Sequence, residues 1–169
     1  MNGLCSPFNR SPYYSAPPHA THVEAARRLR GQYPQATRLL ELGAGGGQFA
    51  VSAAAEGFRV TALELRAAGV AHMLRLARER DLSLSAVQGD FYAADPGGPF
   101  DLIVYWDGFG IGSDDDQRRL LTRMAGWLAP RDTRCWTSTR RGTGPVTPGT
   151  PATPTRTRRC TGLTARPAA

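Results

Sequence analysis

Apolar and polar positions along this chain follow two periods in turn. From Ala20 to about Gln32, Val23, Ala26 and Leu29 recur at helical spacing, and Tyr33-Pro34 ends the run. Arg38-Leu39-Leu40-Glu41-Leu42 is a short apolar stretch that breaks into Gly43-Ala44-Gly45-Gly46-Gly47, the pattern of a strand entering a glycine loop. An alanine-rich helix over Gln48 to Glu56 is capped by Gly57, and Phe58 to Leu63 is a second strand ending at Glu64. A longer helix runs to about Arg80 with Val70, Met73, Leu74 and Ala77 on one face. Ser83 to Gln88 reads as a third strand leading into Gly89-Asp90, and Phe100 to Trp106, the most apolar run in the chain, as a fourth. Ser113 opens a last helix that ends near Leu128, before Pro130. Asp114, Asp115 and Asp116 occupy its first turn, where the helix dipole favours carboxylates.

Strands alternating with helices predict an α/β fold with a doubly wound, mainly parallel sheet. A fifth strand would have to come from Thr133 to Thr139, where only Cys135 and Trp136 are apolar, so the pattern predicts a weak one at most. The fourth strand would then stand as an unprotected edge. Residues 1–18, with Pro7, Pro12, Pro17 and Pro18, read as an irregular arm, residues 19–130 as the folded domain and residues 131–169 as a tail. Tyr13 and Tyr14 in the arm suit either a lid or ordinary packing.

Composition narrows the classes. With 41% hydrophobic residues the chain can bury a sizeable core, yet no apolar stretch approaches the roughly 20 residues of a membrane-spanning helix. The first residues have neither a positive nor an apolar signal region, so the expectation is a cytoplasmic protein without membrane association. Cys5, Cys135 and Cys160 are far apart and odd in number, which predicts free thiols. The net charge is +7, and all 21 basic residues are arginine. Residues 1–130 balance 13 arginines against 13 carboxylates, so the surplus lies in residues 131–169, with eight arginines against Asp132. The tail also holds 11 threonines and five prolines, and Val146 and Leu163 are its only aliphatic side chains larger than alanine. Such a composition cannot offset its conformational entropy, which predicts disorder from about Arg140 onward. Contact with nucleic acid would run only through this tail.

The chemistry centres on Glu41-x-Gly43-x-Gly45-x-Gly47 between a strand and a helix, a context that separates a ligand-approaching loop from a mobile turn. A dinucleotide fingerprint fails, because its last glycine position is Gln48. His19, His22 and His72 lack metal-ligand spacing and read as surface or helix residues. Ser52, Ser83 and Ser113 lack a nucleophile elbow.

Glu41-Leu42-Gly43-Ala44-Gly45-Gly46-Gly47 resembles the first motif of class I S-adenosylmethionine-dependent methyltransferases. The resemblance spans about residues 10–130 and rests on an ordered set of four strand ends. It implies a Rossmann-like sheet, S-adenosylmethionine as cofactor and methyl transfer to an acceptor, here read as a small molecule. By resemblance Gly43, Ala44, Gly45 and Gly47 approach the cofactor, and Glu64, with Leu65 beside it, holds the two ribose hydroxyls. Asp90 would accept from the adenine amino group while Phe91 packs on the ring, and Val104-Tyr105-Trp106-Asp107 would line the methyl-transfer site. Glu41 is read as part of the amino-end and loop-anchoring network. Asp107 could accept from the cofactor's ammonium, orient a nucleophile or start the turn into Gly108. Methyl transfer is an in-line displacement at an activated carbon, so positioning can supply much of the rate and no catalytic base is assigned.

The chain departs from the family after Pro130, where an apolar fifth strand is expected. Back-translated with GC-favouring codons and read two bases along, Arg134 to Pro145 gives Leu-Leu-Asp-Val-Tyr-Ala-Pro-Trp-Tyr-Trp-Ala. Only Leu-Leu-Asp is nearly forced by the code. The tail is therefore read as an out-of-frame translation that leaves the sheet incomplete at its C-terminal strands, with a nucleic-acid-binding or acidic-partner arm as the rival reading.

Overall fold

The computed structural model describes residues 15–106, 112–130 and, as backbone, 134–137. Its elements run in chain order α1 (Ala20–Gln32), β1 (Arg38–Leu42), α2 (Gln48–Ala55), β2 (Arg59–Glu64), α3 (Ala67–Glu79), β3 (Ser85–Gln88), β4 (Leu102–Tyr105), α4 (Asp114–Trp127) and β5 (Arg134–Thr137). All strands pair in parallel, in the order β3-β2-β1-β4-β5. The chain winds outward from β1 to β3, then returns to lay β4 on the other side of β1. That reversal makes the switch point of a doubly wound sheet.

β1, β2 and β4 bury apolar side chains on both faces because helices cover both. Leu39, Val60, Ala62, Leu102 and Val104 pack with Ala26, Leu29, Phe49, Ala50, Ala53 and Met73 from α1, α2 and α3. Leu40, Leu42, Leu63, Ile103 and Tyr105 pack on the opposite face with Leu120, Met124 and Leu128. Each fully buried leucine contributes about 1.5–3 kcal/mol, so one strand-facing position lost from either layer would be felt.

The element ends carry their own chemistry. Gly57, at φ +86°, closes α2 by donating to the Ala54 carbonyl (3.0 Å) while Phe58 N–H reaches the Ala53 carbonyl (3.1 Å). Ser113 and Asp116 cap α4 reciprocally. The Asp116 N–H donates to Ser113 Oγ (3.2 Å), and Ser113 N–H donates to Asp116 Oδ2 (3.0 Å). These bonds hold the Asp116 carboxyl below the usual range, the backbone bond from Ser113 acting most strongly.

Two expectations need correction. β4 does not stand as an open edge: the short fifth strand, four residues within the stretch that the pattern marks as weak, pairs with it from Leu102↔Arg134 to Tyr105↔Thr137. Backbone pairing does not require a continuous apolar run, and the two apolar residues of the stretch, Cys135 and Trp136, both fall among the four that pair. The buried face of α3 is also turned relative to the expected one. It comprises Gly69, His72, Met73, Leu76 and Ala77, whereas Leu74 is 37% exposed. The helix is rotated because the glycine loop lies against it. The tail beyond residue 137, together with Tyr13 and Tyr14, lies outside the described residues.

Among the described residues no helix is long and apolar enough to cross a membrane.

Candidate functional site

The C-terminal ends of β1, β2, β3 and β4 face one crevice edge, and the switch point lies between β1 and β4. Leaving β1, the chain takes φ +64° at Gly43, +57° at Gly45 and +81° at Gly47. The alternate glycines of the motif are thus those whose backbone a side chain would strain. The loop is stitched to β2: Ala44 N–H donates to the Leu63 carbonyl (3.1 Å), and Gly45 N–H donates to Glu64 Oε2 (2.8 Å). Glu64 Oε1 accepts from Arg66 N–H at 2.9 Å. Each Glu64 oxygen therefore uses one acceptor site on backbone and retains another.

Glu41 lies on the β1 face that meets α2 and is 2% exposed. Its carboxylate accepts from the Ala50 N–H, in the first turn of α2, while Oε2 has no hydrogen-bond partner among the described residues. The α2 N-cap is Gly47, which has no side chain to offer, so Glu41 supplies the acceptor from the neighbouring strand. Burial pushes the Glu41 carboxyl well above the usual carboxylate range. The Ala50 N–H opposes that shift and the nearby Glu64 charge adds to it.

At the end of β3, Gly89 N–H donates to the Glu64 carbonyl (2.9 Å). Asp90 is exposed, and its Oδ1 accepts from Tyr92 N–H at 2.8 Å, an Asx turn that sets the direction of the next residues. Phe91 is half-buried and meets the Tyr105 ring edge-on, with centroids 5.5 Å apart. At the end of β4, burial, with a smaller contribution from Tyr92, pushes the Tyr105 hydroxyl up to about 12. Half-buried Trp106 packs edge-on against Phe49 at 4.7 Å. Leu65, just past β2, is 64% exposed. Asp107 lies outside the described residues.

Glu41, Gly43, Ala44, Gly45, Gly47, Glu64, Leu65, Asp90 and Phe91 therefore all lie at or just beyond the ends of β1, β2 and β3. Two further residues reach this edge. His72 is no surface residue: it is 5% exposed, and its Nδ1 lies 2.8 Å from the Gly46 carbonyl. The signal for it was a polar side chain at position i+3 from Gly69, on the face that also carries Met73 and Leu76. Arg123 of α4 donates from Nε to the Phe91 carbonyl (3.1 Å) and from its terminal nitrogen to the Ala94 carbonyl, holding the turn after Asp90. Nothing in the local pattern marks that arginine among its neighbours on α4.

Comparison with known proteins gives the family and the fold. Residues 39–131, more than half of the chain, match the family described as the methyltransferase domain. No curated protein matches the chain significantly. Among solved structures, the PH0226 protein of Pyrococcus horikoshii OT3 matches with a TM-score of 0.66 at 16% identity, over 77% of this chain and 63% of that one. Coclaurine N-methyltransferase, solved with N-methylheliamine and SAH, matches at 0.61 and 17%, over 69% of this chain and 34% of that one. The glycopeptide N-methyltransferase MtfA, solved with (S)-adenosyl-L-methionine, is 26% identical with a TM-score of 0.55, over 64% of this chain and 50% of that one. The chain spans less than two thirds of the length of each of these structures. With the family match covering both the glycine loop and the ends of β2, β3 and β4, the chain belongs to the methyltransferase domain family.

Proposed function

We propose that this chain binds S-adenosylmethionine across the ends of β1 to β4 and transfers its methyl group to a small-molecule acceptor. One observation carries the reading: a glycine loop, beside the switch point between β1 and β4, and the carboxylates Glu64 and Asp90 follow one another at the ends of β1, β2 and β3. The residues suit that cofactor. Gly43 is exposed, and a Cβ added there would meet only Tyr105 Cε2, at 3.8 Å, so a ligand can approach the loop backbone closely. Glu64 has acceptor capacity left on both oxygens for a pair of hydroxyls. Leu65 offers an exposed apolar surface beside it, and Phe91 a ring beyond Asp90, as a flat heteroaromatic group requires.

In this reading Gly43, Ala44, Gly45 and Gly47 approach the amino acid end, Glu64 holds the ribose, and Asp90 with Phe91 holds the adenine. Glu41 stands behind the loop as its anchor, and Asp107 is a further acceptor next to Trp106. The cofactor supplies a methyl carbon already activated by a positive sulfonium. The chain's task is then to orient the donor and to keep carboxylates near its positive charge. A small-molecule acceptor is in keeping with the N-methylheliamine bound in the coclaurine enzyme.

Calorimetric titration tests the assignment. S-adenosylmethionine and S-adenosylhomocysteine should bind and NAD should not, and Glu64→Ala should weaken both by about tenfold or more, the loss of charge-assisted bonds. Binding of NAD without the methyl donor would identify a nucleotide-binding module instead.

A further inference from the structure

The glycine loop rests on one face of α3, contact by contact. A Cβ added to Gly69 would lie 2.4 Å from the Gly45 carbonyl oxygen, and one added to Gly47 would lie 2.2 Å from Met73 Cγ. Between these contacts, His72 Nδ1 meets the Gly46 carbonyl at 2.8 Å. Residues 69, 72 and 73 form a single stripe at helical spacing, so loop residues 45, 46 and 47 each have their own counterpart on the helix. A carbonyl oxygen only accepts, so in this bond the Nδ1 atom carries the proton and donates.

The next peptide group shows what the bond decides. Gly47 N–H donates to the Ala44 carbonyl at 2.9 Å. Its carbonyl partner in that same peptide plane is Gly46 C=O, the group His72 holds. The plane between Gly46 and Gly47 is thus clamped from both ends in a segment of glycines, which have the largest backbone freedom to lose. Neither Glu41 nor Glu64 performs this task, since Glu41 accepts from Ala50 and Glu64 from Gly45 and Arg66.

We infer that His72 is a positioning residue for cofactor binding: through its Nδ1–H it fixes the Gly46-Gly47 peptide and so pre-forms the glycine loop before any ligand arrives. The cofactor part of this inference rests on the function proposed above, whereas the loop part stands on the ligand-free fold. Preorganisation of this kind appears as affinity, because the ordering cost is met in advance.

Three variants of the full chain separate the possibilities. The amide nitrogen of Asn can stand where Nδ1 stands, that of Gln falls nearer Nε2, and Leu fills the space without a donor. Hydrogen–deuterium exchange over residues 43–49, in the ligand-free protein, should rise at least tenfold in His72→Leu and His72→Gln and return close to wild type in His72→Asn. Exchange in β1 and β4 should be unchanged in all three. S-adenosylhomocysteine should bind about tenfold more weakly to the Leu and Gln variants and near normally to the Asn variant. If the loop is equally protected in the Gln and Asn variants, or in wild type and the Leu variant, the positioning role is wrong. If His72→Leu does not fold, the Asn and Gln pair decides the same point. Should wild type bind no S-adenosylhomocysteine while the exchange pattern holds, the cofactor assignment fails and the loop-positioning role stands.

Discussion

In a helix interior, alanine normally stabilises relative to glycine by about 1 kcal/mol. Gly126 of α4 has nothing within 4 Å of an added Cβ, so Gly126→Ala should show that ordinary gain. Gly69 of α3 should show the reverse. Its Cβ would meet the Gly45 carbonyl oxygen at 2.4 Å and Glu64 Cγ at 3.0 Å, and pushing the loop away should cost about 1–3 kcal/mol. Urea unfolding of the two variants checks the opposite signs. Glu41 gives a pH signature. Its folded carboxyl keeps its proton to a higher pH than the unfolded one, so that preference stabilises in acid and is lost as the pH climbs through the raised value. Glu41→Gln has no proton to lose. The melting temperature of the variant relative to wild type should therefore rise as the pH goes from about 5 to 8, and a flat or falling difference would contradict the buried, destabilised charge.

α4 is polar along most of its length and buries only Leu120 and Met124 within its span, so its end caps matter to its stability. Ser113 satisfies one N-terminal N–H and Asp116 returns the bond. Ser113→Ala should lower stability by about 1 kcal/mol, read from the denaturation midpoint at unchanged slope. The helix also matters beyond its own stability, because Arg123 and Gln117 tie it to the β3–β4 segment. Gln117 Nε2 donates to the Tyr92 hydroxyl at 3.2 Å, nearly two turns before Arg123 reaches the Phe91 carbonyl. Loosening α4 should therefore be felt in the turn after Asp90, on the opposite face of the sheet from the glycine loop. β5 has a comparable role for β4, whose backbone groups would otherwise face outward.

Across the whole molecule, the charge and the fold divide at different points. The surplus of +7 begins at residue 131, yet the sheet continues through Thr137. A chain ending at Pro130 is therefore expected to be less stable than one ending at Ser138, because only the second keeps the strand beside β4. A loss of about 1–2 kcal/mol would lower the melting temperature by several degrees and leave the shorter chain prone to association. Thermal unfolding with light scattering on the two chains would show it. Equal stability would mean that β5 contributes little to holding β4.

The alternation of short apolar runs with amphipathic helices was enough to determine four parallel strands, their helices and the position of the glycine loop, since those features depend on period and on local turn chemistry. Glu41, Glu64 and Asp90 could be singled out by position and by resemblance: Glu41 is the acidic residue inside the first apolar run, and Glu64 and Asp90 follow the second and third. Only the tertiary structure decided which face of α3 turns inward, because that depends on how closely Gly69 lets the helix approach Gly45. It likewise placed His72 on the Gly46 carbonyl and Arg123 on the Phe91 carbonyl, bonds 26 and 32 residues apart in the chain. It also supplied the pairing of Arg134–Thr137 with β4, where the side-chain pattern marks only a weak strand.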